Sequence, residues 1–146
     1  MNIIFFYLSL IFIVPVQKQG HTNTKNSIGI QGYDPVAYFQ DNQALEGRKS
    51  ISAMHDGVTY YFASEDHQRD FQASPDRYLP EYGGWCAYAI GATGDKVKID
   101  PETYKLLDGK LYLFYNFKGY NTLDDWNKDE SNLLVNATEY WAKITN

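Results

Sequence analysis

One cysteine, three histidines, two methionines and five prolines are all that this 146-residue chain holds of those four residues. A single thiol, Cys86, excludes a disulfide within the chain. Three histidines leave a thin supply of neutral-pH bases, and one of them, His21, lies in a polar N-terminal stretch. The longest apolar run, Ile3 to Val16, is interrupted only by Ser9 and Pro15 and falls short of the ~20 residues a membrane-spanning helix needs. Basic residues are scarce too: 13 Lys and Arg stand against 18 Asp and Glu, a formal net charge of −5. Such a balance opposes nucleic-acid binding, where a basic surface supplies most of the affinity, and disfavours anionic lipid. No Ser–His–Asp set, phosphate loop, dinucleotide fingerprint or paired-carboxylate spacing stands out, so no motif specifies an enzyme.

What is present begins with the apolar run itself. It reads as an export signal over residues 1–19, with an uncleaved anchor as the alternative. No Lys or Arg precedes the run, no A-x-A-like cleavage site follows it, and no cysteine follows that a lipid would modify. The expected location is extracytoplasmic, in a periplasm or cell envelope, with membrane attachment only if the segment stays uncleaved. Lys18 is the only charged side chain in residues 1–19, so the rest of the chain is slightly more acidic than the whole. Residues 20–29 read as a flexible leader, and residues 30–146 as one domain.

Two Asp-Gly pairs organise that domain. Asp56-Gly57 separates Ile51–His55 from Val58–Phe62, and Asp108-Gly109 separates Thr103–Leu107 from Leu111–Tyr115. Asp-Gly between β-formers predicts a hairpin. The arm Leu111–Tyr115 is apolar throughout, which predicts cover on both faces. Ser64 followed by Glu65 and Asp66 predicts a helix start, with an end near Ala73 before Pro75. His67 and Phe71, four apart, then share a face. Trp126, Leu133, Ala137, Tyr140, Trp141 and Ile144 fall on one stripe at helical spacing, and Asp129 divides the region if it forms two helices. The fold class is α+β: two hairpins packed with several short helices and a C-terminal helix. Aromatic residues make up 16% of the chain, enough to supply much of a small core.

Cys86 lies in Tyr82-Gly83-Gly84-Trp85-Cys86-Ala87-Tyr88-Ala89. The glycines permit a tight turn and an uncrowded approach to the thiol. A helix starting there puts Cys86 in its first turn, where free N–H groups favour a thiolate. The competing reading is an inert thiol buried as a small hydrophobe.

Three stretches together resemble a known family. They are Gly32-Tyr33-Asp34-Pro35-Val36-Ala37-Tyr38-Phe39, the Tyr60–His67 segment with Phe71, Pro75 and Tyr78, and Tyr82–Ala87 with Asp108-Gly109-Lys110-Leu111-Tyr112-Leu113. From Gly32 to about Trp141 the chain resembles the YHS domain, and is most similar to stand-alone exported bacterial YHS-domain proteins, some of which carry selenocysteine at the position of Cys86. In YHS modules with a metal-site pattern, three positions hold soft ligands. Here they are Ala37, Ala63 and His67. The resemblance therefore implies a metal site with only His67 kept, to which Cys86 or His55 would be added, and copper or zinc as the metal.

Three functions follow. A thiol-reactive protein would use Cys86, with His67 or His55 as its base and an external redox partner to reset it. A metal binder would use Cys86 and His67, with a metal-delivery partner. A non-catalytic binding module would use an aromatic cleft lined by Trp85 and Tyr88, with Cys86 structural.

Overall fold

In the computed structural model, residues 20–146 are described, so the expected export segment lies outside the described residues. Both Asp-Gly pairs form the turns their sequence calls for. Asp56 and Gly57 have φ of 48° and 77°, and Asp108 and Gly109 have 49° and 74°. Positive φ at both central residues matches the right-handed twist of the strands they join. The first hairpin pairs β3 (Arg48–His55) with β4 (Val58–Phe62), antiparallel, with an irregularity between Arg48 and Ser52. The second pairs β5 (Asp100–Leu107) with β6 (Lys110–Phe114), again with a shift, between Asp100 and Tyr104.

The N-terminal residues differ from the expected leader. Thr24–Lys25 and Ile28–Gly29 are strands β1 and β2, and the sheet runs β1-β2-β4-β3. β2 joins β4 in parallel at Ile28 and Thr59, and Thr59 donates its N–H to Ser27 O at 2.8 Å. Polar composition suggested a free segment here. Backbone hydrogen bonds, which polarity does not reveal, tie it down.

Helix α1 (Pro35–Gln40) opens with Pro at its first position, and Asp34 caps it by accepting from Val36 N and Ala37 N. Helix α2 (Glu65–Ala73) starts where expected, with the Ser64 side chain accepting from His67 N, and buries His67 and Phe71 on one face. Helix α3 (Ala87–Thr93) follows the glycine pair. A third small hairpin, β7 (Asn116–Phe117) and β8 (Tyr120–Asn121), turns through Lys118 and Gly119 at φ of 55° and 77°. The C-terminal stripe is two helices, α4 (Thr122–Lys128) and α5 (Glu130–Thr145), meeting at Asp129. Asp129 marks the boundary without capping α5; its carboxylate instead accepts from Asn132 Nδ2 at 2.7 Å.

Strand β6 is the axis of the packing. Leu111 and Leu113 belong to a core with Val36, Tyr38, Tyr60, Phe62, Phe71 and Ile99. Tyr112 and Phe114, on the opposite face, belong to a second core with Ile90, Trp126, Leu133 and Ala137. An alternating strand with apolar residues at every position is the pattern a strand between two cores requires. Of the C-terminal stripe, Trp126, Leu133 and Ala137 are buried, whereas Tyr140 is on the surface. Among the described residues, no helix is long and apolar enough to cross a membrane.

Candidate functional site

The segment before Cys86 runs left-handed at three consecutive residues: Tyr82, Gly83 and Gly84 have φ of 54°, 61° and 81°. The glycines serve a close approach by the N-terminal residues, not an open path to the thiol. A Cβ on Gly83 would lie 2.5 Å from His21 O. Asn23 N donates to Gly83 O at 2.8 Å, Asn23 Nδ2 to Gly84 O at 3.0 Å, and Trp85 Nε1 to His21 O at 2.7 Å. Residues 21–23 are therefore clamped across the Gly-Gly segment. Trp85, expected in an aromatic cleft, is instead spent on that clamp.

Cys86 immediately precedes α3. Its carbonyl accepts the helix's first bond, from Ile90 N at 3.1 Å, and its own N–H donates to Val97 O at 3.0 Å. The thiol does not cap the helix. Its stabilising contacts come from elsewhere: Tyr115 N donates to Sγ at 3.4 Å, and Thr122 Oγ1 lies 3.4 Å from Sγ. The Thr122 hydroxyl also accepts from Tyr115 N at 3.1 Å and is 3.0 Å from Tyr115 O. Its single proton has two destinations. Donated to Tyr115 O, it leaves an oxygen lone pair for a Cys86 S–H. Turned to the sulfur, it joins Tyr115 N–H in solvating a thiolate. The site thus accommodates either protonation state of the thiol without moving a heavy atom.

Above the sulfur lies a cleft of about 430 Å³, whose walls include Tyr88, Ala89, Val97, Tyr115 and Tyr120. Its size is in the range of small-molecule pockets. Cys86 has no exposed surface of its own, so the thiol is the layer under the cleft wall. At the rim, Tyr120 donates its hydroxyl to Asp125 Oδ2 at 2.7 Å, and Lys128 Nζ donates to Asp125 Oδ1 at 2.7 Å. That hydrogen bond to Asp125 pushes the Tyr120 phenol up to about 12, so it serves as a donor and not as a base near neutrality. Lys128 in turn lowers the Asp125 carboxyl below its ordinary value.

His67 belongs to a different network. Its Nδ1 lies 2.6 Å from Asp34 Oδ2, and its Nε2 lies 3.5 Å from Asp41 Oδ2. Asp34 is fully buried, and its Oδ2 also accepts from Ala63 N at 2.8 Å while Oδ1 accepts from Val36 N at 2.8 Å and Ala37 N at 3.3 Å. With Asp34 ionised, its oxygens are occupied and the His67 proton sits on Nδ1. The three positions at which the YHS metal pattern would carry ligands, Ala37, Ala63 and His67, thus converge on one carboxylate. His55 Nε2 lies 3.3 Å from an oxygen of Asp56 and of Asp76 but makes no hydrogen bond to either.

The structure therefore brings Cys86 and Tyr88 together in one cleft and leaves His67, His55 and Trp85 in other networks. Cys86 and His67 share no polar partner, and neither histidine is hydrogen-bonded to the sulfur. Among the described residues, no group of three or more His, Cys, Asp or Glu side chains is arranged to hold a metal ion. Sequence reasoning missed Thr122, Tyr115 and Tyr120, the thiol's and the cleft's nearest partners. Asn121, which caps α4 by accepting from Leu123 N, was a readable sign of a helix start beside them, but nothing in the sequence joins that start to Cys86.

Comparison with known proteins finds no matching family model, no matching curated protein and no matching solved structure.

Proposed function

We propose that the protein acts through the cleft above Cys86, binding a small, mostly apolar molecule against tyrosine walls with the thiol as the reactive group at its floor. One observation carries this reading. The chain's only thiol lies beneath a cleft of about 430 Å³ and is held by Tyr115 N–H and Thr122 Oγ1, partners that suit a thiol and a thiolate alike. The thiol and aromatic-cleft readings of the sequence therefore meet at one place. The metal reading, with Cys86 and His67 as ligands of copper or zinc, takes no support from two side chains in separate networks. The resemblance to exported YHS-domain proteins remains part of the proposal. It is supported by the way Asp34 ties the Gly32–Phe39 and Tyr60–His67 segments together, and export rests on the Ile3–Val16 run alone.

Thiol labelling tests the reading. Iodoacetamide, small enough for the cleft, modifies Cys86 in the folded protein faster than global unfolding exposes it, and a bulky maleimide does so more slowly. Tyr120→Ala, which opens the rim, narrows that difference. Modification by both reagents only at the unfolding rate would make the thiol a packing residue and end the proposal.

A further inference from the structure

A second cleft, of about 350 Å³, differs in character from the first. Ile30, Ile99 and Phe117 give it apolar walls, and Lys25 and Lys98 give it two ammonium groups. Ile30 and Ile99 are buried, 5% and 1% exposed, whereas both lysines are exposed. Neither lysine is ion-paired among the described residues, although acidic groups outnumber basic ones along the chain. Lys98 Nζ sits 4.5 Å from the centre of the Phe117 ring, which holds a positive charge directly against an apolar wall. The cleft is built rather than incidental. Gln31 Nε2 donates to Ile99 O at 2.9 Å, tying one wall to the other. Ile30 and Gln31 both lie in the left-handed region, at φ of 50° and 53°. A β-branched residue rarely adopts that conformation, and backbone strain of this kind gathers at ligand sites.

We propose that this cleft binds a small amphiphilic anion, with an apolar body against Ile30, Ile99 and Phe117 and a carboxylate or phosphate group between Lys25 and Lys98. Two unpaired ammonium groups beside an apolar surface suit a ligand that is charged at one end and apolar at the other. The site is separate from the thiol cleft yet shares structure with it. Val97 lines the thiol cleft while Lys98 and Ile99 line this one, and Tyr120 lines the thiol cleft while its register partner Phe117 lines this one.

Phenyl phosphate, phenylacetate and benzyl alcohol are the probes, titrated into the full chain by calorimetry and by amide shifts in NMR spectra. The two anions bind saturably, and benzyl alcohol binds at least about tenfold more weakly. The Lys25→Gln, Lys98→Gln double variant loses about tenfold or more in affinity for both anions. Both positions are on the surface, and circular dichroism confirms that the variant stays folded. Shifts centre on Lys25, Ile99 and Phe117, and Cys86→Ser leaves the affinity unchanged, so the outcome is independent of the thiol. Equal affinity of wild type and double variant, shifts centred on Tyr120 and Tyr88, or no saturable binding of either anion would each overturn the proposal.

Discussion

Asp34 is the residue on which the N-terminal half of the domain turns. A carboxylate with no exposed surface is costly unless every lone pair is used, and here three backbone N–H groups and one imidazole use them. Those partners come from the start of α1, the end of β4 and the first turn of α2, so one side chain fixes three elements. Asp34→Ala leaves three amides and His67 without their acceptor. The expected loss is on the order of 3–5 kcal/mol in urea unfolding, and Asp34→Asn recovers little of it, because its NH2 replaces one accepting oxygen and faces a backbone N–H donor. A loss below about 1 kcal/mol in the alanine variant would mean that water replaces the carboxylate. The sequence marks Asp34 as a turn residue before Pro35 and marks His67 as a buried neighbour of Phe71. It does not mark them as a pair, because their bond spans 33 residues and no periodicity reports a contact at that distance.

Where the signal is local, the elements follow from their own residues. The Asp-Gly turns and the Ser64 start with its stop before Pro75 are where the sequence puts them, since each is decided within four residues by φ preference or capping. The continuous apolar run of β6 likewise announced two-sided cover. The thiol cleft was not legible in the same way. Its walls come from α3, residue 97, and the Tyr115–Thr122 stretch, joined only by tertiary packing. Helix α3 shows how such packing overrides propensity. Gly91 lies inside it, where alanine would favour the helix by roughly 1 kcal/mol. A Cβ there, however, would stand 2.7 Å from Leu133 O and 3.3 Å from Leu133 C and Cα, which are backbone atoms of α5 and cannot swing aside. Forcing α5 away costs about 1–3 kcal/mol, so the clash wins. Gly91→Ala is expected to lower the melting temperature by a few degrees, which differential scanning calorimetry reads directly. A rise would show that α3 and α5 have room between them.

Across the whole molecule, the abundance of tyrosine sets how the fold responds to alkali. Tyr38, Tyr60 and Tyr112 are buried, and burial raises each phenol, Tyr60 to about 12 and the other two further. A group whose folded value lies above its unfolded value of about 10 holds its proton longer in the folded state. Its stabilisation is complete below pH ~10 and is lost as the pH rises through the folded value. These tyrosines are not on one surface patch. Tyr38 and Tyr60 belong to one core and Tyr112 to the other, and β6 connects the two. Ionising any one of them therefore opens a core that shares a strand with the next. Tyrosinate absorbance on titration should show the buried set ionising in a steep step coincident with loss of far-ultraviolet circular dichroism. Tyr60→Phe removes one of the groups that must ionise and should move the steep step to higher pH, provided the ring's packing against Phe71 at 5.1 Å is kept. A single gradual titration with the circular dichroism unchanged would mean that the buried phenols reach water without unfolding, and that the two cores do not open together.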